Sequence, residues 1–391
     1  MIWQYKQHEK PLEQEQPEQE QLESRQPEPH GGNIYKLAEE LGISEDEIID
    51  FSASINPLGV PKSVVSAIRD GIKTIIDYPD PDARHLRLEI ARHLHMDSHY
   101  VLCGNGSTEL IYLAARALRP EKVLIPAPTF SEYERAVKTL QAVNQTPSQI
   151  NYFVTLEKDN FDLNAERFIA AMSKDTKASA LMNSVDTVFL CNPNNPTGRV
   201  VSRNNMLKIC NAALKLKTYL VVDEAFIDFC PEESVVKEVE KNPYLIVLRS
   251  LTKFYALSGL RIGYAVAHPK TLDLLARYKE PWTVNTLAQF AGIAALKDTS
   301  YRLDSLKVIE HESAVIEDGL KLLNIRYFES DANFYLLKMR NAQHAALQLR
   351  DKGIMVRDCS NFIGLDENYL RIAVKGNKDN MRLLKELSKI V

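Results

Sequence analysis

A chain of 391 residues, 45% hydrophobic and 26% charged, is longer than one core sustains, so a large unit with a smaller one beside it is expected. No apolar run approaches the ~18 residues of a membrane span, and the start, MIWQYKQHEKPLEQ, has no apolar leader, so a cytoplasmic protein is expected. Residues 1–29 carry the whole formal net charge of −4, with seven Glu against Lys6, Lys10 and Arg25; the rest is neutral overall, which argues against a nucleic-acid surface.

Residues 1–29 also hold seven Gln and four Pro, a composition that buries too little apolar surface to offset the entropy of ordering, and they predict a disordered tail. From His30 the pattern becomes globular. NIYKLAEELG has helical spacing and a C-cap signal at Gly42, and DEIIDFSASINPLGVP runs extended into a turn, so residues 30–59 read as an arm that joins the smaller unit. Residues 60–280 repeat one phrase, apolar run, turn, helix. KVLIPAP (122–128), DTVFLCNP (186–193), TYLVVDEA (218–225), YLIVLRS (244–250) and RIGYAVA (261–267) are apolar nearly throughout, as parallel strands covered on both faces must be. RNNMLKICNAALKLK (203–217) is one of the intervening helices. The expected class is α/β, doubly wound around a mostly parallel sheet. After Pro281, helices around TLAQFAGIAALKD and LKVIEHESAVIEDGLKLLN precede strands ANFYLLKM, IMVRDC and YLRIAVK, an α+β unit over 281–391. Cys103, Cys191, Cys210, Cys230 and Cys359 show no pair at metal-ligand spacing; reduced structural thiols and no metal site are expected.

Four polar clusters stand where strands of an open α/β sheet end, the place where such sheets bind ligands. CGNGSTEL (103–110) is a Gly-rich turn ahead of an apolar helix, and Ser107 and Thr108 there fit either a plain N-cap or a phosphate cradle. NPNNPTG (192–198) is a Pro-stiffened loop able to aim side-chain amides. VVDEAF puts Asp223 and Glu224 at the end of an apolar strand, where a carboxylate is costly unless a cation meets it. SLTKFYALSGLR (250–261) supplies an amine in Lys253, hydroxyls in Ser250 and Thr252, and a guanidinium in Arg261. An amine for an aldehyde, a carboxylate for a ring nitrogen, an amide for a ring hydroxyl and an anion cradle are together what pyridoxal 5'-phosphate requires.

In the order and rough spacing of these motifs, residues 30–391 resemble the fold-type I pyridoxal-phosphate enzymes of aminotransferase class I/II. The resemblance implies that Lys253 bonds the cofactor, Asp223 pairs with its pyridinium, Asn195 bonds its ring oxygen and Phe130 of PTFSEY stacks on the ring. It places Gly106, Ser107, Thr108, Ser250, Thr252 and Arg261 around the phosphate. Tyr78 in DYPDPDA would reach across a homodimer into a shared site.

Arg357 in IMVRDC and Arg371 in YLRIAVK lie inside apolar strand patterns, and the bidentate fork of arginine suits carboxylate and phosphate, so a substrate with two anionic groups is expected. HGGNIYKLAEELGI, IIDFSASINPLGVP, DEAFIDF, LRSLTKFYALSGLRIGY and PWTVNTLA further resemble the L-threonine-O-3-phosphate decarboxylases. That resemblance implies decarboxylation of threonine phosphate to (R)-1-amino-2-propanol O-phosphate for the cobalamin nucleotide loop. It also implies that His30, Gly31 and Asn33 close over the substrate near Ser54 and Asn56, with Arg371 on the α-carboxylate and Arg357 and His30 on the phosphate. Histidinol-phosphate aminotransferases, which are related, usually carry tyrosine where this chain has Phe226, which favours the decarboxylase. Ser54 stands where the decarboxylases commonly have Asn, so serine phosphate is a further expected substrate. The rivals are a histidinol-phosphate-type aminotransferase and, more distantly, a non-catalytic cofactor-sensing regulator, against which the acidic, Gln-rich extension speaks.

Overall fold

Short apolar runs flanked by turns build the centre of the molecule. The computed structural model describes residues 30–141, 148–173 and 185–391; the expected tail, 1–29, lies outside the described residues. After a two-residue strand β1 (Ile49–Asp50) come β2 (Val101–Gly104), β3 (Lys122–Ala127), β4 (Gln149–Val154) and β5 (Thr187–Cys191). They are followed by β6 (Tyr219–Asp223), β7 (Leu245–Ser250) and β8 (Gly263–Ala267). Strands β2 to β8 form one seven-stranded sheet in the order β2-β8-β7-β6-β5-β3-β4. The five runs expected as strands are all there, whereas β2, four residues ending on Gly104, and the half-exposed β4 carry too weak a pattern to stand out in the sequence.

One expectation is corrected. β8 runs antiparallel to both β7 and β2, although its apolar composition matches that of its parallel neighbours. A parallel return needs a crossover of a dozen or more residues, usually through a helix; residues 251–262 contain only the short turn Ser258–Leu260. That connection holds Lys253.

Helices α1 (Ile34–Leu41), α2 (Lys62–Gly71), α3 (Arg84–Leu94), α4 (Gly106–Leu118) and α5 (Glu132–Gln141) precede the middle of the sheet. α1 stops at Gly42, whose φ of 65° is the left-handed conformation of a glycine C-cap. Further on come α6 (Ala165–Ser173), α7 (Arg203–Leu216), α8 (Pro269–Ala276), α9 (Thr286–Lys297) and α10 (Thr299–Leu322). Alternate strand residues face opposite sides. Val188, Leu190, Leu220, Val222 and Val247 pack against α2, α3, α6, α7 and α9, while Phe189, Val221, Ile246 and Leu248 pack against α4, α5 and α8. Helices thus cover both faces of the sheet.

The C-terminal part holds β9 (Arg326–Tyr327), β10 (Phe334–Lys338), α11 (Ala342–Arg350), β11 (Ile354–Met355), β12 (Arg357–Asp358), β13 (Tyr369–Ala373) and α12 (Asn377–Leu387). Its antiparallel sheet has the order β12-β13-β10-β9. IMVRDC, expected as one strand, is divided: β11 pairs in parallel with β1, and β12 pairs with β13. The N-terminal arm is thereby tied to the C-terminal part, with Phe51 donating to the Met355 carbonyl at 2.7 Å and accepting from Ala373 at 2.9 Å. Phe51, Ile316, Leu337, Ile354 and Ile372 belong to one core. Ala288, Ala291 and Tyr301 belong instead to the core of the large sheet, and α10, with Tyr301 in that core and Ile316 and Leu320 in the other, lies against both. The five cysteines are buried and unpaired. Among the described residues, no helix is long and apolar enough to cross a membrane, and no three His, Cys, Asp or Glu side chains converge as metal ligands would.

Candidate active site

The carboxyl ends of β5, β6 and β7, the start of α4, and the paired strands β12 and β13 enclose a cavity of about 420 Å³. Lys253, Asp223 and Asn195 line it. Burial, then the nearby Arg371 and Arg261, lower the proton affinity of the Lys253 amine to about 8. Asp223 shows the opposite shift: burial pushes its carboxyl up to about 6, opposed by a hydrogen bond from the Tyr133 hydroxyl at 2.8 Å and one from the Ala225 N–H at 3.1 Å. A buried carboxylate held this way is short of a cation. Its neighbour Glu224 is not, since it turns away to Arg249 at 2.7 Å and accepts from Ser234 and Val235 at 2.8 and 2.9 Å. The two adjacent carboxylates therefore have separate tasks.

An aromatic wall rises beside Asp223. Phe130 meets Tyr133 edge-on with 5.7 Å between ring centroids, and Tyr133 stacks on Phe189 at the same separation. Cys191 lines the cavity as well, its thiol kept protonated by burial, which pushes it up to about 12.

Opposite stands an anion cradle. Ser107 and Thr108 lie in the first turn of α4, where backbone N–H groups have no partner within the helix and the dipole favours negative charge. Gly106 adopts φ 78°, and a Cβ there would fall 2.6 Å from Arg261 Nη2; glycine is what lets the guanidinium lie against the helix start. Gly263 does the same for the backbone, since its Cβ would fall 2.6 Å from the Ser107 nitrogen. Ser250 and Thr252 share a hydroxyl hydrogen bond of 2.7 Å at the cavity wall.

Arg357 and Arg371 are cross-strand partners in the β12–β13 register, so they share a face. Both are buried and both line the cavity. Arg371 donates to Asn195 Oδ1 and, at 2.5 Å, to the Ser52 carbonyl, while its buried Nε has no acceptor among the described residues. Burial, with Arg357 adding, lowers its proton affinity to about 10. Arg357 donates to Asn361 at 2.8 Å and lies over the Phe362 ring. Like charges facing each other cost energy unless an anion joins them. Ser54 also lines the cavity, with a buried hydroxyl that has no partner among the described residues. His30 and Gly31 close one side, and His30 Nε2 lies 2.9 Å from Glu132.

Two expected residues stand elsewhere. Asn33 caps α1 and faces a neighbouring cavity of about 290 Å³. Asn56 lies behind the lysine rather than beside a substrate: it holds the connection from underneath, its backbone N–H donating to the Lys253 carbonyl at 3.1 Å and its side-chain amide to the Phe254 carbonyl and the Ser305 hydroxyl at 2.8 and 2.7 Å. Tyr78 is 84% exposed and rests on Trp282, outside the cavity of its own chain. The sequence reading missed Tyr133, Glu132, Arg135 and Ser52 in the wall. Tyr133 had a usable signal, being a second aromatic three positions after Phe130 in the same PTFSEY segment.

Residues 46–386 match the model of the aminotransferase class I and II family. The chain belongs to that family. The family fold, fold type I, is the one observed here. Over 366 residues, 93% of this chain and 96% of the other, it is 38% identical to the threonine-phosphate decarboxylase of Salmonella typhimurium. Among solved structures it is similar to the histidinol-phosphate aminotransferase from Clostridium acetobutylicum, with TM-score 0.79 and 32% identity over 88% of this chain and 99% of that one. It is also similar to the L-threonine-O-3-phosphate decarboxylase from Porphyromonas gingivalis, with TM-score 0.74 and 28% identity at the same coverages. The residues present fit pyridoxal phosphate: a buried amine of lowered proton affinity, a buried carboxylate short of a cation, and a glycine-opened anion cradle share one cavity.

Proposed function

We propose that this family member is a pyridoxal-phosphate-dependent decarboxylase that converts L-threonine O-3-phosphate to (R)-1-amino-2-propanol O-phosphate for the cobamide nucleotide loop. The observation that carries the reading is the pair Arg357 and Arg371, opposite each other on β12 and β13 and facing the cavity of Lys253. Two guanidinium groups suit a substrate with a carboxylate and a phosphate. The 38% identity to a threonine-phosphate decarboxylase over nearly the full length supports it.

When bound, the cofactor supplies the electron sink that accepts the pair left at the α-carbon as carbon dioxide departs. Lys253 would hold it covalently, Asp223 would keep its ring nitrogen protonated, and Phe130 would cover one ring face. Asn195 would bond the ring oxygen, and Gly106, Ser107, Thr108, Ser250, Thr252 and Arg261 would enclose the phosphate. Arg371 takes the α-carboxylate, and Arg357 with His30 takes the substrate phosphate. Gripping both ends fixes which α-carbon bond stands perpendicular to the ring, and so which bond breaks. A proton then replaces the carboxylate on that carbon. The Ser54 hydroxyl faces the same space, and serine phosphate, one methyl smaller, is a second substrate of this reading. Tyr78 completes the site of the other subunit of a homodimer, and the arm 30–59 moves with the C-terminal unit.

The likeness to a histidinol-phosphate aminotransferase structure favours a second reading, transamination on the same cofactor residues. Phe226 weighs against it: it lines the cavity, packs against Phe334 with ring centroids 4.9 Å apart, and offers no hydroxyl to the cofactor. Purified holoenzyme given threonine phosphate without 2-oxoglutarate is expected to release carbon dioxide, with serine phosphate run in parallel. No gas from either, with amino transfer from histidinol phosphate to 2-oxoglutarate, would reverse the two readings.

A further inference from the structure

Glu132 is a carboxylate in the wall of an anion-binding cavity, where its charge alone would repel the substrate. It is 5% exposed and sits at the first position of α5. Three donors from three parts of the chain converge on it: the Tyr112 hydroxyl of α4 at 2.8 Å, the His30 ring at 2.9 Å and Arg135 of α5 at 3.4 Å. Burial, then this hydrogen bond, raise the Tyr112 phenol to about 12, so the phenol stays a donor. Tyr112 thus fixes Oε2 and leaves Oε1 to His30 and Arg135.

His30 and Glu132 belong to different units. His30 opens the arm that is tied to the C-terminal part through β1 and Phe51, whereas Glu132 is anchored on the large sheet's helical layer. Their contact spans 102 positions of sequence across the cavity. With Nε2 on the carboxylate, Nδ1 is the ring atom left for a ligand. The ring is held from the side by Phe130, with centroids 5.8 Å apart. An orienting carboxylate behind an imidazole fixes which nitrogen faces the ligand and removes rotational freedom that binding would otherwise cost.

We propose that Glu132 is a positioning residue for the phosphate end of the substrate: it aims His30 into the cavity and clasps the N-terminal arm over it. The proposal rests on the reading that His30 is a phosphate ligand. Its partner in recognition is a phosphoryl group, not the substrate's amino-acid end, so the effect must disappear with a ligand that lacks phosphate.

The test compares His30→Ala, Glu132→Met, Glu132→Gln and the double variant His30→Ala/Glu132→Met. Methionine keeps the length of the side chain without an acceptor; glutamine keeps an acceptor oxygen. The readouts are KM for threonine phosphate, kcat, and calorimetric binding of inorganic phosphate to the holoenzyme. KM and Kd do not depend on the folded fraction, so a poorly folding variant still reports. Each single loss is expected to raise KM about tenfold, as removal of one hydrogen bond to a charged group does, with any fall in kcat no larger in Glu132→Met than in His30→Ala. The double variant should be no worse than His30→Ala alone, because the two act as a unit. Phosphate binding should follow the same pattern, and Glu132→Gln should restore most of it. Unchanged KM and phosphate binding in Glu132→Met beside a weakened His30→Ala, or losses that multiply in the double variant, would overturn the proposal alone. Silence of His30→Ala would overturn the underlying assignment of His30 as well.

Discussion

Lys253 and Asp223 carry opposite shifts for one physical reason, the removal of charge from water, and each shift has a measurable consequence. A lysine titrating near 8 is mostly ammonium at pH 7 and mostly amine at pH 9, and only the amine attacks an aldehyde. Capture of pyridoxal phosphate by apoenzyme, followed by the rise of its visible absorbance, should accelerate from pH 7 to 9 and then level off. A rate independent of pH over that interval would contradict the buried setting. Because its folded value lies below the ordinary 10.5, the unfolded chain holds the extra proton between about 8 and 10.5, and this group makes the apoprotein more stable as pH rises through that window. Asp223 acts the other way. Its folded value near 6 exceeds the ordinary 3.8, so the folded chain holds the extra proton and stability falls as pH rises from about 4 to 6. Asp223→Asn should therefore leave apoprotein at pH 7 at least as resistant to urea as the parent while weakening cofactor binding by more than about tenfold. A loss of apoprotein stability in that variant would mean that Asp223 is chiefly structural.

At the scale of elements, the cradle depends on how closely β8, the 251–262 connection and the start of α4 approach one another. Gly106 and Gly263 have no room for a Cβ against Arg261 and the Ser107 nitrogen. Gly106→Ala is expected to push the Arg261 guanidinium out of the cradle and to strain a backbone at φ 78°. Cofactor affinity, read by absorbance titration, should fall about tenfold or more, since one charge-assisted hydrogen bond is at stake. Undiminished affinity would show that Arg261 does not hold the phosphate. The close approach also follows from β8 turning back antiparallel, which keeps the lysine connection short and lets Asn56 and Ser305 fix it from below.

At the scale of the molecule, one surface is conspicuously apolar. Ile72, Ile75 and Ile76 lie exposed beside Tyr78 and Trp282, with Ile76 87% exposed. Large apolar side chains exposed in such number within one segment mark an interaction surface, and the proposed homodimer would cover them while delivering Tyr78 to the opposite site. Holoenzyme should sediment as a dimer, and Ile76→Glu should sediment as a monomer with most activity lost, because a buried unpaired charge opposes association. A fully active monomeric parent would exclude a shared site.

By itself, the sequence determined five of the seven strands of the central sheet, the cofactor motifs and the two arginines. Burial on both faces demands apolar runs, and cofactor chemistry demands residue types that local composition seldom groups together. Family membership followed from the same local signals. Only the tertiary structure decided that β8 reverses direction, that IMVRDC divides between two sheets, and that Arg357 lies directly opposite Arg371. The same holds for Glu132, whose three partners come from the arm, α4 and α5. An apolar run looks the same whichever way its strand points, and a carboxylate in a helical pattern looks solvated until distant chain segments close over it. Direction, register and convergence arise from contacts between segments far apart in the chain, and no local pattern encodes them.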